Sequence, residues 1–157
     1  KQPAVMVLSR QNLPTLDRNN LGAANGVAKG GYILKEAHNG KPECILIGTG
    51  SEIPLCLDAA HILESHDIPT RVVSLPCWEL FDEQDKQYRE HVLPSNVSAR
   101  VGCEAASGFG WEKWLGNTGK FIGMNGFGAS GPAKQLFQHF GITTEAIVTA
   151  ARGLTGK

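Results

Sequence analysis

Three short stretches hold the residue types from which a binding or catalytic site is built. Gly48-Thr49-Gly50-Ser51-Glu52 follows an apolar run and precedes a helical one, the place where α/β proteins hold phosphates on free backbone N–H groups. Its sixth position is Ile53 where a dinucleotide fingerprint needs glycine, and no Gly-Lys-Ser/Thr follows as a phosphate loop requires. Glu52 also sets a negative charge where an anion would sit, so a tight turn before a capped helix is favoured over a ligand loop. Gly102-Cys103-Glu104 closes a second strand-like run, again where open sheets bind ligands. A nucleophilic Cys103 needs an adjacent base and a depressed pKa. His91 and His139 are the only candidate bases, and nothing in the spacing ties either one to it, so a buried thiol is the better reading. Gly126-Phe127-Gly128-Ala129-Ser130-Gly131-Pro132 reads as a turn leading into a helix start. His38, His61 and His66 form no HExxH or facial triad. Trp78, Trp111 and Trp114 are scattered and suit core or interface packing better than a nucleic-acid stacking platform.

The elements that must position these stretches follow from hydrophobic periodicity. Residues 4–8 form a short apolar run with a strand's length, and residues 12–25, rich in Asn, Asp, Pro and Gly, read as an exposed connection. Two strand-like runs, 31–35 and 43–47, flank Asn39-Gly40, which predicts an antiparallel hairpin. Ser51 is positioned as an N-cap, with Pro54 in the first turn and Ile53, Cys56, Ala60 and Leu63 on one helical face. A strand is expected over 70–75, stopped by Pro76, and a polar helix capped by Asp82 carries Tyr88 and Val92, with Asp85 completing an imperfect capping box. Strands are expected at 99–103 and 121–124. A helix after Ser130 turns Ala133, Leu136, Phe137 and Phe140 inward and stops at Gly141. Thr143 caps the last helix, with Ile142 and Ile147 as its hydrophobic staple. This rhythm predicts a three-layer α/β sandwich: a mostly parallel sheet of about five strands, one antiparallel, with helices on both faces.

With 157 residues the chain is about one domain's worth and needs no disulfide or metal staple. Fifteen basic residues balance fifteen acidic ones, which leaves no electrostatic footprint for nucleic acid or an anionic membrane. No apolar run approaches the roughly 20 residues of a membrane span, and no signal segment opens the chain. Lys1 is no natural translation start, so the chain reads as mature or truncated. Cys44, Cys56, Cys77 and Cys103 make no CxxC or Cys/His cluster, and three lie in apolar surroundings; a reducing, intracellular compartment is expected.

Several stretches, in order along the whole chain, resemble transketolases. They are Ser9-Arg10-Gln11-Asn12-Leu13-Pro14, Gly30-Gly31-Tyr32-Ile33-Leu34, Gly48-Thr49-Gly50-Ser51-Glu52, the run from Phe81-Asp82 through Tyr88-Arg89 to Val92-Leu93-Pro94, Phe127-Gly128-Ala129-Ser130, and Phe140-Gly141-Ile142-Thr143. The resemblance implies the C-terminal part of an enzyme that moves a two-carbon ketol unit from a ketose phosphate to an aldose phosphate. It implies thiamine diphosphate and Mg2+ (or Ca2+) in the full-length homodimer, with neither held by this segment, because the Gly-Asp-Gly…Asn motif and the activating glutamate are missing. Under it, residues 1–11 are the last strand of a pyrimidine-binding domain, 12–29 an interdomain linker and 30–157 the C-terminal domain. Arg10 matches the family's substrate-phosphate arginine, a role its planar, permanently charged fork suits. The expected partners are the remaining domains of the same chain and a second subunit, both met by exposed apolar residues around Phe109-Gly110-Trp111 and Phe127, and sugar phosphates in the intact enzyme. No catalysis is expected from the segment alone. The expected compartment is the cytoplasm, with the plastid as the other candidate. The competing reading is a free-standing regulatory small-ligand module, using Gly48 to Ser51 and Gly102 to Glu104, or a protein-interaction module.

Overall fold

A computed structural model describes residues 3–157; Lys1 and Gln2, the first residues of the segment assigned to a preceding domain, lie outside the described residues. The strands are β1 (Tyr32–Lys35), β2 (Cys44–Gly48), β3 (Thr70–Ser74), β4 (Arg100–Ser107) and β5 (Lys120–Met124), in sheet order β1-β3-β2-β4-β5. The helices are α1 (Ile53–Ser65), α2 (Trp78–Asp82), α3 (Lys86–Val92), α4 (Glu112–Leu115), α5 (Ala133–His139) and α6 (Thr144–Thr155). All neighbouring strands run parallel except β1, which lies antiparallel to β3. The expected three-layer α/β sandwich is the observed fold.

The expected hairpin does not form. Asn39-Gly40 does make a turn, with Gly40 at φ 69° and its N–H donating to the Ala37 carbonyl at 2.9 Å. But β2 is buried on both faces and both its edges are taken by β3 and β4, so β1 has to cross to the outer edge of β3. Turn chemistry specifies the loop; two-sided burial decides which strand is central. The pairing of β1 with β3 is irregular between Ile33 and Lys35, which is common at a sheet edge.

Alternation along the strands builds two cores, one on each face. Cys44 and Leu46 of β2, Val72 of β3, and Val101 and Cys103 of β4 face α1 and α6, meeting Cys56, Leu63, Ile142 and Ile147. Ile45, Ile47 and Val73 face the other way, onto Phe81, Trp111, Trp114 and Leu115. Each such large side chain contributes about 1.5–3 kcal/mol by leaving water. Thr143 caps α6, its hydroxyl accepting from the Ala146 N–H at 3.2 Å, and Ile142 and Ile147 are buried as a staple should be. Gly141, at φ 69°, ends α5 as expected.

Three local expectations need correction. Residues 4–8 make no strand: Val5, Met6, Val7 and Leu8 are exposed and pair with no strand of the sheet among the described residues. Asp82 ends α2 rather than capping the next helix. Phe81 is drawn into the aromatic core and carries helix with it, Asp82 turns to Lys113 and Arg89, and Asp85 becomes the cap, accepting from the Tyr88 N–H at 2.7 Å. Ser51 does not cap α1, which Gly50–Glu52 enters as a 3-10 turn; its hydroxyl donates instead to Glu52 at 2.9 Å.

Two arginines close the end of α3, where a helix leaves carbonyls without intrahelical donors. Arg71 of β3 donates to the carbonyls of His91 (2.6 Å) and Val92 (3.0 Å) while gripping Glu36 with two bonds of 2.9 and 2.7 Å. Arg100 of β4 donates to Leu93, Pro94, Val97 and Trp114 carbonyls. Positive charge at a helix C-terminus also opposes the helix dipole.

Candidate functional site

Because β2, β4 and β5 are parallel, the loops that follow them meet at one end of the sheet. Residues 49–52 leave β2, 108–110 leave β4 and 125–132 leave β5. A cleft of about 660 Å³ opens there, lined among others by Val7, Glu52, Glu104, Gly128, Phe137 and Phe140. The first and second candidate stretches therefore do converge, and the third joins them.

What they bring together is acidic and packed. Glu52 is 3% exposed. Burial pushes its carboxyl up, the Glu104 charge adds to this, and the Ser51 hydroxyl and nearby amides only partly compensate. Glu104 accepts from the buried Trp111 indole N–H at 3.0 Å. Gly102 is fixed by packing: a Cβ there would lie 2.6 Å from Trp111 Cε3. At Gly48 a Cβ would lie 3.0 Å from Cys56 Sγ, and Gly48 is the cross-strand neighbour of Cys103. These glycines make room for side chains of the fold, and the turn presents carboxyl groups rather than cations to the cleft.

Cys103 is fully buried. Its thiol neighbour is Cys56, whose pKa is driven up by its contact with Cys103 and by burial; no hydrogen bond links Cys103 to a histidine. His91 is exposed, and its carbonyl serves Arg71. His139 is exposed beside the Phe140 ring. A Cys/His nucleophile is not assembled. Cys44 and Cys56 are likewise buried, burial pushing the Cys44 thiol up to about 12, while Cys77 is half-buried. The 126–132 stretch is exposed, and Phe127 at its centre is wholly in solvent.

The tryptophans, scattered in sequence, meet in space. Trp78 lies 5.4 Å from Trp111 and 5.9 Å from Trp114, edge to face. Trp111 is 1% exposed, which corrects its assignment to an exposed contact surface; Phe109, two residues earlier, is 91% exposed. Arg10 is exposed and follows the exposed run ending at Leu8 and Ser9. Sequence reading missed the Glu52–Glu104 pair and the thiol contact. The signal for both was that Glu52 and Cys56 lie in the first turns after β2, while Cys103 and Glu104 lie on the parallel strand beside it.

Fold and site together define a three-layer α/β domain whose loop end is shaped by packing, with no catalytic constellation assembled among the described residues. The family model described as the Transketolase-like TK C-terminal domain matches residues 30–143. The chain is 54% identical over 153 residues to "Transketolase-1, chloroplastic" of Arabidopsis thaliana, covering 97% of this chain and 20% of that protein. Identity to "Transketolase, chloroplastic" of Solanum tuberosum is 52%, with the same coverage. Among solved structures, transketolase from Leishmania mexicana superposes with a TM-score of 0.77 at 42% identity, covering 84% of this chain and 19% of that one. Transketolase of Pichia stipitis, in complex with sedoheptulose 7-phosphate, gives a TM-score of 0.81 at 37% identity, covering 94% and 20%. The chain belongs to the transketolase C-terminal domain family. It spans about a fifth of the length of the relatives it matches.

Proposed function

We propose that this chain is the C-terminal part of a transketolase, which moves a two-carbon ketol unit from a ketose phosphate to an aldose phosphate. The observation that carries the reading is its 52–54% identity to transketolases over 97% of its length. In this reading residues 1–11 complete a preceding pyrimidine-binding domain, 12–29 link it and 30–157 form the C-terminal domain. Arg10, one residue past the apolar stretch, offers its guanidinium to the substrate phosphate. The segment acts structurally within a homodimer and is not catalytic alone. The chloroplastic transketolases among the plant relatives support the plastid over the cytoplasm. Among the described residues no helix is long and apolar enough to cross a membrane.

The residues present do not fit the cofactors that the family implies. Among the described residues no three His, Cys, Asp or Glu side chains group as a metal site, and the glycine turn before α1 ends on the buried carboxyl of Glu52. In the proposed reading thiamine diphosphate and Mg2+ (or Ca2+) are held by the remainder of the enzyme. The same acidic lining counts against the competing reading of Gly48 to Ser51 and Gly102 to Glu104 as an anion-binding regulatory site.

The test is Arg10→Ala in the full-length enzyme. Loss of a charge-assisted phosphate contact of about 1.5–3 kcal/mol raises KM for phosphorylated substrates by roughly 10–150-fold. The rate with a non-phosphorylated acceptor stays within about twofold. An equal effect on both substrates rules out the phosphate role.

A further inference from the structure

We infer that the Asn39-Gly40 turn is a site of spontaneous covalent modification. Its asparagine closes onto the next backbone nitrogen as a succinimide, water opens the ring mainly to isoaspartate, and the isoaspartyl carboxylate is an acceptor for enzymatic methylation. The inference stands apart from the transketolase reading, because it uses neither Arg10 nor the cleft.

The chain holds three Asn-Gly pairs, at 25–26, 39–40 and 125–126. A glycine after asparagine leaves the attacking nitrogen unshielded, since no Cβ stands beside it. The dipeptide alone does not distinguish the three pairs; their surroundings do. Gly26 lies inside the 3-10 turn Ala24–Lys29, where a Cβ would run into the Tyr32 ring, so ring closure there meets both a helical backbone and the tyrosine. Asn125 and Gly126 are exposed in an open loop. Among the described residues no hydrogen bond holds the Asn125 side chain, which must be ordered before it can react.

Asn39 is already folded for the reaction. Its Oδ1 accepts from the Lys41 N–H at 2.9 Å. This Asx turn carries Cγ back over the 39–40 peptide and polarises the Cγ carbonyl. The feet of the turn are pinned to the body: the His38 N–H donates to Glu64 at 3.0 Å, and the Glu43 N–H to the Pro69 carbonyl at 2.8 Å. The tip therefore stands clear of the fold. Asn39 and Gly40 are exposed, and nothing lies within 4 Å of where a Gly40 Cβ would be. One restraint opposes the attack, the Gly40 N–H donating to the Ala37 carbonyl at 2.9 Å. It is a single turn bond at an exposed tip, and it opens locally without disturbing the sheet.

The chemistry balances with water alone. The Gly40 nitrogen gives its proton to solvent base and bonds to Asn39 Cγ; the Cγ–Nδ2 bond breaks, and Nδ2 takes up a proton and leaves as ammonia. Water adding at Cγ yields aspartate. Water adding at the backbone carbonyl yields isoaspartate, with an extra methylene in the main chain and a new carboxylate. Methyl transfer to that carboxylate from a sulfonium donor gives an ester and a thioether.

The experiment ages the full-length protein in mildly alkaline buffer, both native and urea-denatured. The peptides carrying the three pairs are followed by the mass gain of amide-to-acid conversion. Isoaspartate is counted as methyl label taken from S-adenosylmethionine, with an L-isoaspartyl methyltransferase as reagent. In the denatured protein the three pairs convert at similar rates. In the native protein Asn39 leads the other two by about tenfold, the rate factor that ~1.4 kcal/mol of pre-folding supplies, and the methyl label falls on its peptide. Asn39→Gln, whose longer side chain closes the ring poorly, loses the label there. Native rates in the same ratio as the denatured ones, or a lead for Asn25 or Asn125, overturn the inference. Acid at position 39 that takes no methyl label also overturns it, by showing direct hydrolysis without ring closure.

Discussion

Replacing Arg71 with methionine tests whether the buried guanidinium holds the edge of the sheet and the end of α3 together. Arg71 is 5% exposed, and methionine keeps much of its buried stem while removing all its donors. The carbonyls of His91 and Val92 then lose their partners, at about 1–3 kcal/mol for the buried Val92 acceptor and toward the low end of that range for the part-buried His91 one. Glu36 is left unpaired too, but its side chain is 38% exposed, so water takes over and that loss is small. The expected total is about 3 kcal/mol, which for a chain of this size lowers the melting temperature by roughly 6–12 °C. The complementary change, Glu36→Gln, leaves the two carbonyl bonds intact and costs below about 1 kcal/mol. Thermal unfolding followed by circular dichroism compares the two. A fall of under about 2 °C for Arg71→Met, or equal falls for both variants, refutes the assignment of the cost to the capped carbonyls.

Gly102→Ala forces a methyl group into the Trp111 ring, whose Cε3 would stand 2.6 Å away; overpacking of this kind costs about 1–3 kcal/mol, read as a lower urea midpoint, and an unchanged midpoint shows that the aromatic cluster yields. Burial raises the carboxyl pKa of Glu52 in the native state above its ordinary 4.5, so the stability it allows is fully present below that value and declines as pH rises through the native one. Glu52→Gln removes this titration: the variant is the more stable at pH 7, and its advantage shrinks by pH 4; urea midpoints at the two pH values measure this, and a pH-independent difference refutes it. In native protein a thiol reagent modifies Cys77 quickly and Cys44, Cys56 and Cys103 only after denaturation, given the burial of those three; rapid reaction of a second thiol counts against the packing of the core facing α1.

The α/β class was legible because strands buried on both faces leave unbroken apolar runs, such as Cys44 to Ile47, and amphipathic helices leave a period of 3.6. The cap at Thr143 and its staple were legible because they are local in sequence. The partner of β1 was not, since an Asn-Gly turn encodes nothing about the competition of β3 and β4 for the edges of β2. Asp82 and Asp85 both satisfy capping chemistry, and only the burial of Phe81 decides between them. The roles of Arg71 and Arg100 depend on carbonyls 20 or more residues away in the first case and on four separate carbonyls in the second. No periodicity marks such side chains. The acidic cleft needed the strand order before Glu52 and Glu104 could be placed at one end.

The position of β1 at the rim, next to residues 12–29, has a mechanical consequence. It is bonded to β3 alone, and the connection ahead of it is stitched on by the Gly22 N–H to the Leu34 carbonyl at 2.7 Å. Any pull transmitted along 12–29 reaches the body through this clasp and peels it before it strains the parallel block of β3, β2, β4 and β5. Once the clasp is off, Val72 and Val73 sit on a bare strand edge, the kind of surface on which chains template one another into aggregates.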